Sequence, residues 1–80
     1  MSNKILSERI NQELDAIGVP QLMTERVQAC SKLFELPWFK AHALLTGMTH
    51  FENDAIEKVA DILEVKAEWL MGADNNKHIN

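Results

Sequence analysis

The sequence predicts an all-α domain of five helices, and three observations carry that expectation. Apolar residues recur three or four positions apart from Leu6 to Leu70, the spacing of a helical face, with no strand-like alternation. Gly18, Pro20, Pro37, Gly47 and Gly72 divide the chain into segments of helix length. The 80 residues are 46% hydrophobic with only 3 Gly and 2 Pro, which leaves little chain for long loops or disorder.

Leu6, Ile10, Leu14 and Ile17 fall on one face of a first helix over about 4–17, with Ser2 or Ser7 as its cap and Gly18 ending it in a left-handed turn. Val19-Pro20 forces an extended or turning path. A second helix over about 24–35 turns Val27, Cys30, Leu33 and Phe34 inward and stops before Pro37, which cannot continue it. Pro37 suits the first turn of a third helix, about 37–46, where its missing donor is harmless; Ala41, Leu44 and Leu45 face the core and Gly47 closes it. Thr49 and Glu52 have capping-box spacing, with Asn53 as a competing cap, before a fourth helix over about 53–63 that buries Ile56, Val59, Ala60 and Leu63. A short fifth helix, about 66–71, carries Trp69 and Leu70. These elements make one domain over residues 1–72; residues 73–80 form a polar C-terminal tail, expected to fray.

Composition excludes several classes. A chain this short buries only about 60% of its unfolded surface, enough for one small core but not for a cofactor cavity between domains. No apolar run approaches the roughly 20 residues of a membrane span, and the opening MSNKILSERINQELD gains charge too early for a signal peptide. Cys30 alone forms neither an internal disulfide nor a zinc cluster, so a cytoplasmic setting is expected, with Cys30 as an inert buried thiol. The histidines lack partners at ligand spacing, so no metal and no cofactor are expected. Glu52, Asp54, Glu57, Asp61 and Glu64 read as a solvated helix face rather than paired acid and base, and the chain is expected not to be an enzyme.

Charge is unevenly placed. The formal net charge is −4, yet residues 26–50 hold Arg26, Lys32 and Lys40 against Glu35 alone, a local +2 that also includes His42 and His50. The rest of the chain holds five Lys/Arg against eleven Asp/Glu. The second and third helices are separated only by Glu35-Leu36, the spacing of a helix-turn-helix, in which one helix crosses the phosphate backbone and the next enters the major groove.

The stretch SKLFELPWFKAHALLTGMT resembles the core of the lambda-repressor-like (Xre/Cro-type) DNA-binding domains, with Ser31, Leu33, Phe34, Leu36, Ala41, Leu45, Gly47 and Thr49 in register. IEKVADILEVKAEWLMG is similar to the family's last two helices through Ile56, Val59, Ala60, Leu63, Val65, Trp69, Leu70 and Gly72. Upstream, ERINQELDAIGVP followed by ERVQACSKLF looks like the phage-regulator branch, so the likeness covers about residues 6–72.

The resemblance implies a five-helix lambda-repressor-like fold and a small prokaryotic or phage transcription regulator that binds double-stranded DNA as a homodimer. It puts Trp38, Phe39, Lys40, His42 and Ala43 in the groove. Arg26, Gln28 and Lys32 fall on the phosphate-facing side of the second helix, with Thr46 to His50, including Thr49, after the third. By their place in the fifth helix and tail, Trp69, Met71 and Ile79 are the expected dimer contacts, with the core as the alternative place for Trp69. The family commonly has Ser at Pro37, Gln or Arg at Trp38, and polar groups at Phe39 and Ala43. The apolar substitutes define the alternative: a helix-turn-helix-derived protein-interaction module, an antirepressor or accessory factor, whose Trp38 and Phe39 contact a protein partner.

Overall fold

A computed structural model describes residues 3–48 and 51–76. Within them the chain forms α1 (Asn3–Ala16), α2 (Met23–Leu33), α3 (Trp38–Thr46), α4 (Asn53–Leu63) and α5 (Ala67–Leu70), with no strand among the described residues. α3 packs against α1 and α2, and α5 packs against α4 and α1. Among the described residues no helix is long and apolar enough to cross a membrane.

The expected faces meet in one core. Leu6, Ile10 and Leu14 from α1, Val27 and Cys30 from α2, Ala41, Leu44 and Leu45 from α3, and Ile56, Val59 and Ala60 from α4 are buried together with Phe34, Trp69 and Leu70. Two expected core residues lie outside it. Ile17 is 59% exposed, because α1 ends at Ala16 and the turn through Gly18 (φ 86°) carries Ile17 off the buried stripe. Val19, whose amide donates to the Leu14 carbonyl at 2.9 Å, packs against the core in its place. Leu33 is also exposed: the stripe Val27–Cys30–Phe34 closes without it, and Leu33 falls on the flank. Leu63 is half-buried at the core's edge, and Phe51 and Val65 complete the core from the connections on either side of α4.

The helix ends differ from the expected capping. Ser7 lies inside α1, and its hydroxyl donates to the Leu45 carbonyl at 2.5 Å. Asn11 Nδ2 donates to the same carbonyl at 3.1 Å, so two α1 side chains satisfy an orphan acceptor at the C-terminus of α3. Ser2 lies outside the described residues. Pro37 stands one position before α3 rather than in its first turn: its ψ of 152° is extended, and its carbonyl accepts from the Lys40 and Ala41 amides, each at 3.0 Å. α4 starts at Asn53 with Glu52 at the cap position and no side-chain cap bond; Thr49 lies outside the described residues.

Two ends use a non-glycine residue in the left-handed region, Glu35 after α2 (φ 55°) and Glu64 after α4 (φ 60°). At each, the next amide reaches back into the last turn, Leu36 to Ser31 and Val65 to Ala60, both at 3.0 Å. The Ser31 hydroxyl returns a bond to the Leu36 carbonyl at 2.5 Å, locking the corner between α2 and α3 from both directions. Beyond Gly72 the chain folds back for two residues: the Ala73 and Asp74 amides donate to the Glu68 carbonyl, and Lys66 Nζ pairs with the Asp74 carboxylate.

Candidate nucleic-acid interface

α3 has one anchored side and one open side. Residues in a helix step by about 100°, so Ala41, Leu44 and Leu45 share the buried side while Phe39, Ala43 and Thr46 lie opposite, with Trp38 and His42 on one flank and Lys40 on the other. Phe39 is 67% exposed and Trp38 54%. The five expected groove residues, Trp38, Phe39, Lys40, His42 and Ala43, all lie on one short helix.

Their polar capacity is small. The Trp38 and His42 rings stack, centroids 5.4 Å apart and planes inclined by 11°, which orients the indole along the helix. The Thr46 hydroxyl donates to the His42 carbonyl at 2.9 Å, so its proton is engaged within the helix. Lys40 is exposed and has no carboxylate at ion-pair distance among the described residues. On α2, Gln28 and Lys32 are exposed one turn apart, and Lys32 is likewise without an acidic partner among the described residues.

Arg26 departs from its expected place on the phosphate-facing side. It is 3% exposed, and all five guanidinium N–H donors are engaged inside the protein. Nε donates to the Pro20 carbonyl at 2.9 Å; Nη1 to the Asn11 carbonyl and Oδ1; Nη2 to Asp15 Oδ1 at 2.5 Å and the Val19 carbonyl at 2.8 Å. Arg26 clamps the α1–α2 turn and has no donor left for a phosphate. Its charge also acts on Cys30, where burial pushes the thiol up to about 11 against a smaller downward pull from the guanidinium.

Trp69, expected in the core or at a dimer contact, lies in the core. It is 6% exposed, the Arg9 guanidinium lies 4.8 Å from its ring centroid, and Arg9 Nη1 donates to the Trp69 carbonyl. The indole is a core group covered by an α1 cation. Met71 is half-buried against the core, and Ile79 lies outside the described residues, as do Thr49 and His50.

The sequence reading missed a groove beside α3. Leu36, Phe39, Ala43, Phe51 and Ala55 line about 430 Å³ of space, with Lys40 on one edge and Glu52 and Asp54 on the other. Its only sequence signal was the Phe51-Glu52-Asn53-Asp54 run, which reads as loop and cap when α3 and α4 are taken separately. Glu35 is engaged apart from the groove, 3.7 Å from Lys58. Compared with known proteins, the chain matches no family model, no curated protein and no solved structure.

Proposed function

We propose that this chain is a small cytoplasmic DNA-binding transcription regulator of the helix-turn-helix, lambda-repressor-like type. In this reading α3 enters the major groove of a short operator and α2 lies across the phosphates. One observation supports it: the corner at Ser31–Leu36 fixes α3 on α2 while Ala41, Leu44 and Leu45 hold one side, leaving Trp38, Phe39, Lys40 and Thr46 of α3 exposed together with Lys32 of α2. Base reading falls to Lys40 and His42 for polar contacts and to Phe39 and Ala43 for thymine methyls; Gln28 and Lys32 take phosphates. With Arg26 withdrawn, one copy offers few cations to the backbone, so a homodimer on two half-sites about one helical turn apart is the form that binds usefully.

Fluorescence anisotropy of labelled duplexes, including the gene's own upstream region, tests this at two salt concentrations. Saturable binding that weakens with salt and survives random competitor DNA is the expected result. A folded protein that binds no duplex at low salt overturns the proposal.

A further inference from the structure

The groove between α3 and the start of α4 has a composition of its own. Its floor is apolar, from Leu36, Ala43, Phe51 and Ala55, and Phe39 stands exposed at its edge. Glu52 and Asp54 are exposed on the α4 edge, and neither has a cation at ion-pair distance among the described residues. Trp38 and Met48 extend exposed apolar surface along α3.

We infer that this groove is a docking site for a basic amphipathic helix of a partner protein, which lays two apolar side chains, one turn apart, into the floor and sets a lysine or arginine against Glu52 and Asp54. Charge selects the occupant. A phosphate backbone brought to this edge meets two carboxylates. A cationic helix satisfies both carboxylates while covering apolar surface that water now wets. Lys40 on the opposite edge fixes polarity, since an acidic partner residue is favoured there and a basic one is not. Phe39, Lys40 and Ala43 belong both to this groove and to the open side of α3, so an occupied groove covers the surface assigned to DNA. The docking site goes beyond the DNA reading and stands without it.

The test uses the full chain and two synthetic helical peptides, each with leucines one turn apart, one flanked by lysines and the other by glutamates. Amide NMR shifts report where each binds and, titrated with peptide, how tightly. Saturable binding of the lysine peptide, with shifts confined to the groove and the glutamate peptide weaker by about tenfold or more, is expected. A Glu52→Lys/Asp54→Lys double variant reverses that preference, and Ala55→Arg, with an unchanged amide spectrum elsewhere, abolishes binding. Absence of shifts, shifts away from the groove, or equal binding of both peptides overturns the proposal. Displacement of labelled duplex by the lysine peptide is a separate arm: absence of duplex binding defeats the DNA reading alone, while joint occupancy by duplex and peptide defeats the competition.

Discussion

Arg26 and Asp15 pair at 2.5 Å across the seam between α1 and α2, with the guanidinium buried and the carboxylate half-exposed. The pair keeps the most basic part of α2 inside the fold. Arg26→Ala leaves Asp15, Asn11 and the carbonyls of Val19 and Pro20 without their donor, and a buried pair broken at one partner costs about 3–5 kcal/mol. Because Asp15 stays in contact with water, a loss of about 2–3 kcal/mol is expected, read as a lower urea midpoint with an unchanged m value. The salt dependence of duplex binding, measured where the variant is still folded, should stay as in the parent. A shallower salt slope with no loss of stability would return Arg26 to the surface.

That residue also marks what the sequence can and cannot express. Helix identity and order were readable where a break has a local cause: Gly18 and Gly47 adopt positive φ, and Pro37 removes a donor, whereas the α4–α5 break at Glu64 carries no such signal. The core stripes were readable where they run through a helix interior, as in Leu6–Ile10–Leu14. They failed at helix ends, where Ile17 and Leu33 leave the periodic stripe and Val19 and Phe51 enter the core from connections. The open side of α3 follows from periodicity, whereas the fate of Arg26 depends on α1 supplying Asp15 and Asn11, a tertiary fact that no local spacing encodes. The groove depends likewise on the connection at Phe51-Glu52 and the start of α4 coming beside α3.

Glu64 closes α4 in the left-handed region, where a side chain costs roughly 1–2 kcal/mol that glycine avoids. Glycine gives back part of this through the entropy of the unfolded chain, so Glu64→Gly should stabilise by about 1 kcal/mol in urea unfolding. Glu35→Gly should act in the same direction, since its ion pair with Lys58 joins exposed side chains worth little. Destabilisation by both variants would show that neither backbone is strained.

Stability should fall at both ends of the pH range for identifiable reasons. The hydrogen bond from Lys66 holds the Asp74 carboxyl below its usual value, with a further contribution from the Asn76 amide, and the same bond with Asp74 raises Lys66. A lowered carboxyl contributes stability above its unfolded value, about 3.9, and loses it as pH falls through the folded one; the raised lysine contributes below about 10.4 and loses it above. Cys30, raised by burial from 9.0 to about 11, favours the fold below pH 9 and loses that contribution between the two values. Urea unfolding across pH should show Asp74→Asn and the parent converging in acid, and Cys30→Ala lacking part of the alkaline decline. Parallel curves for Asp74→Asn and the parent down to pH 2 would rule out the Lys66–Asp74 contact as their source.

Lys32 and Lys40 stand on different helices and should fail differently. Lys40, at the edge of the open side of α3, is placed for a base edge, so Lys40→Ala should weaken operator binding by about 1–3 kcal/mol and leave random duplex nearly unchanged. Lys32, on the exposed side of α2, is placed for a phosphate, so Lys32→Ala should weaken both duplexes alike and flatten the log–log salt slope by about 0.9. Both are exposed and without acidic partners among the described residues, so neither variant should change the unfolding free energy by more than about 0.5 kcal/mol, which keeps loss of binding separate from loss of fold. Equal losses on operator and random DNA for Lys40→Ala would make Lys40 a backbone contact and leave sequence reading to Phe39, Ala43 and His42. An unchanged slope for Lys32→Ala would remove α2 from the phosphates and with it the proposed orientation of α3 in the groove.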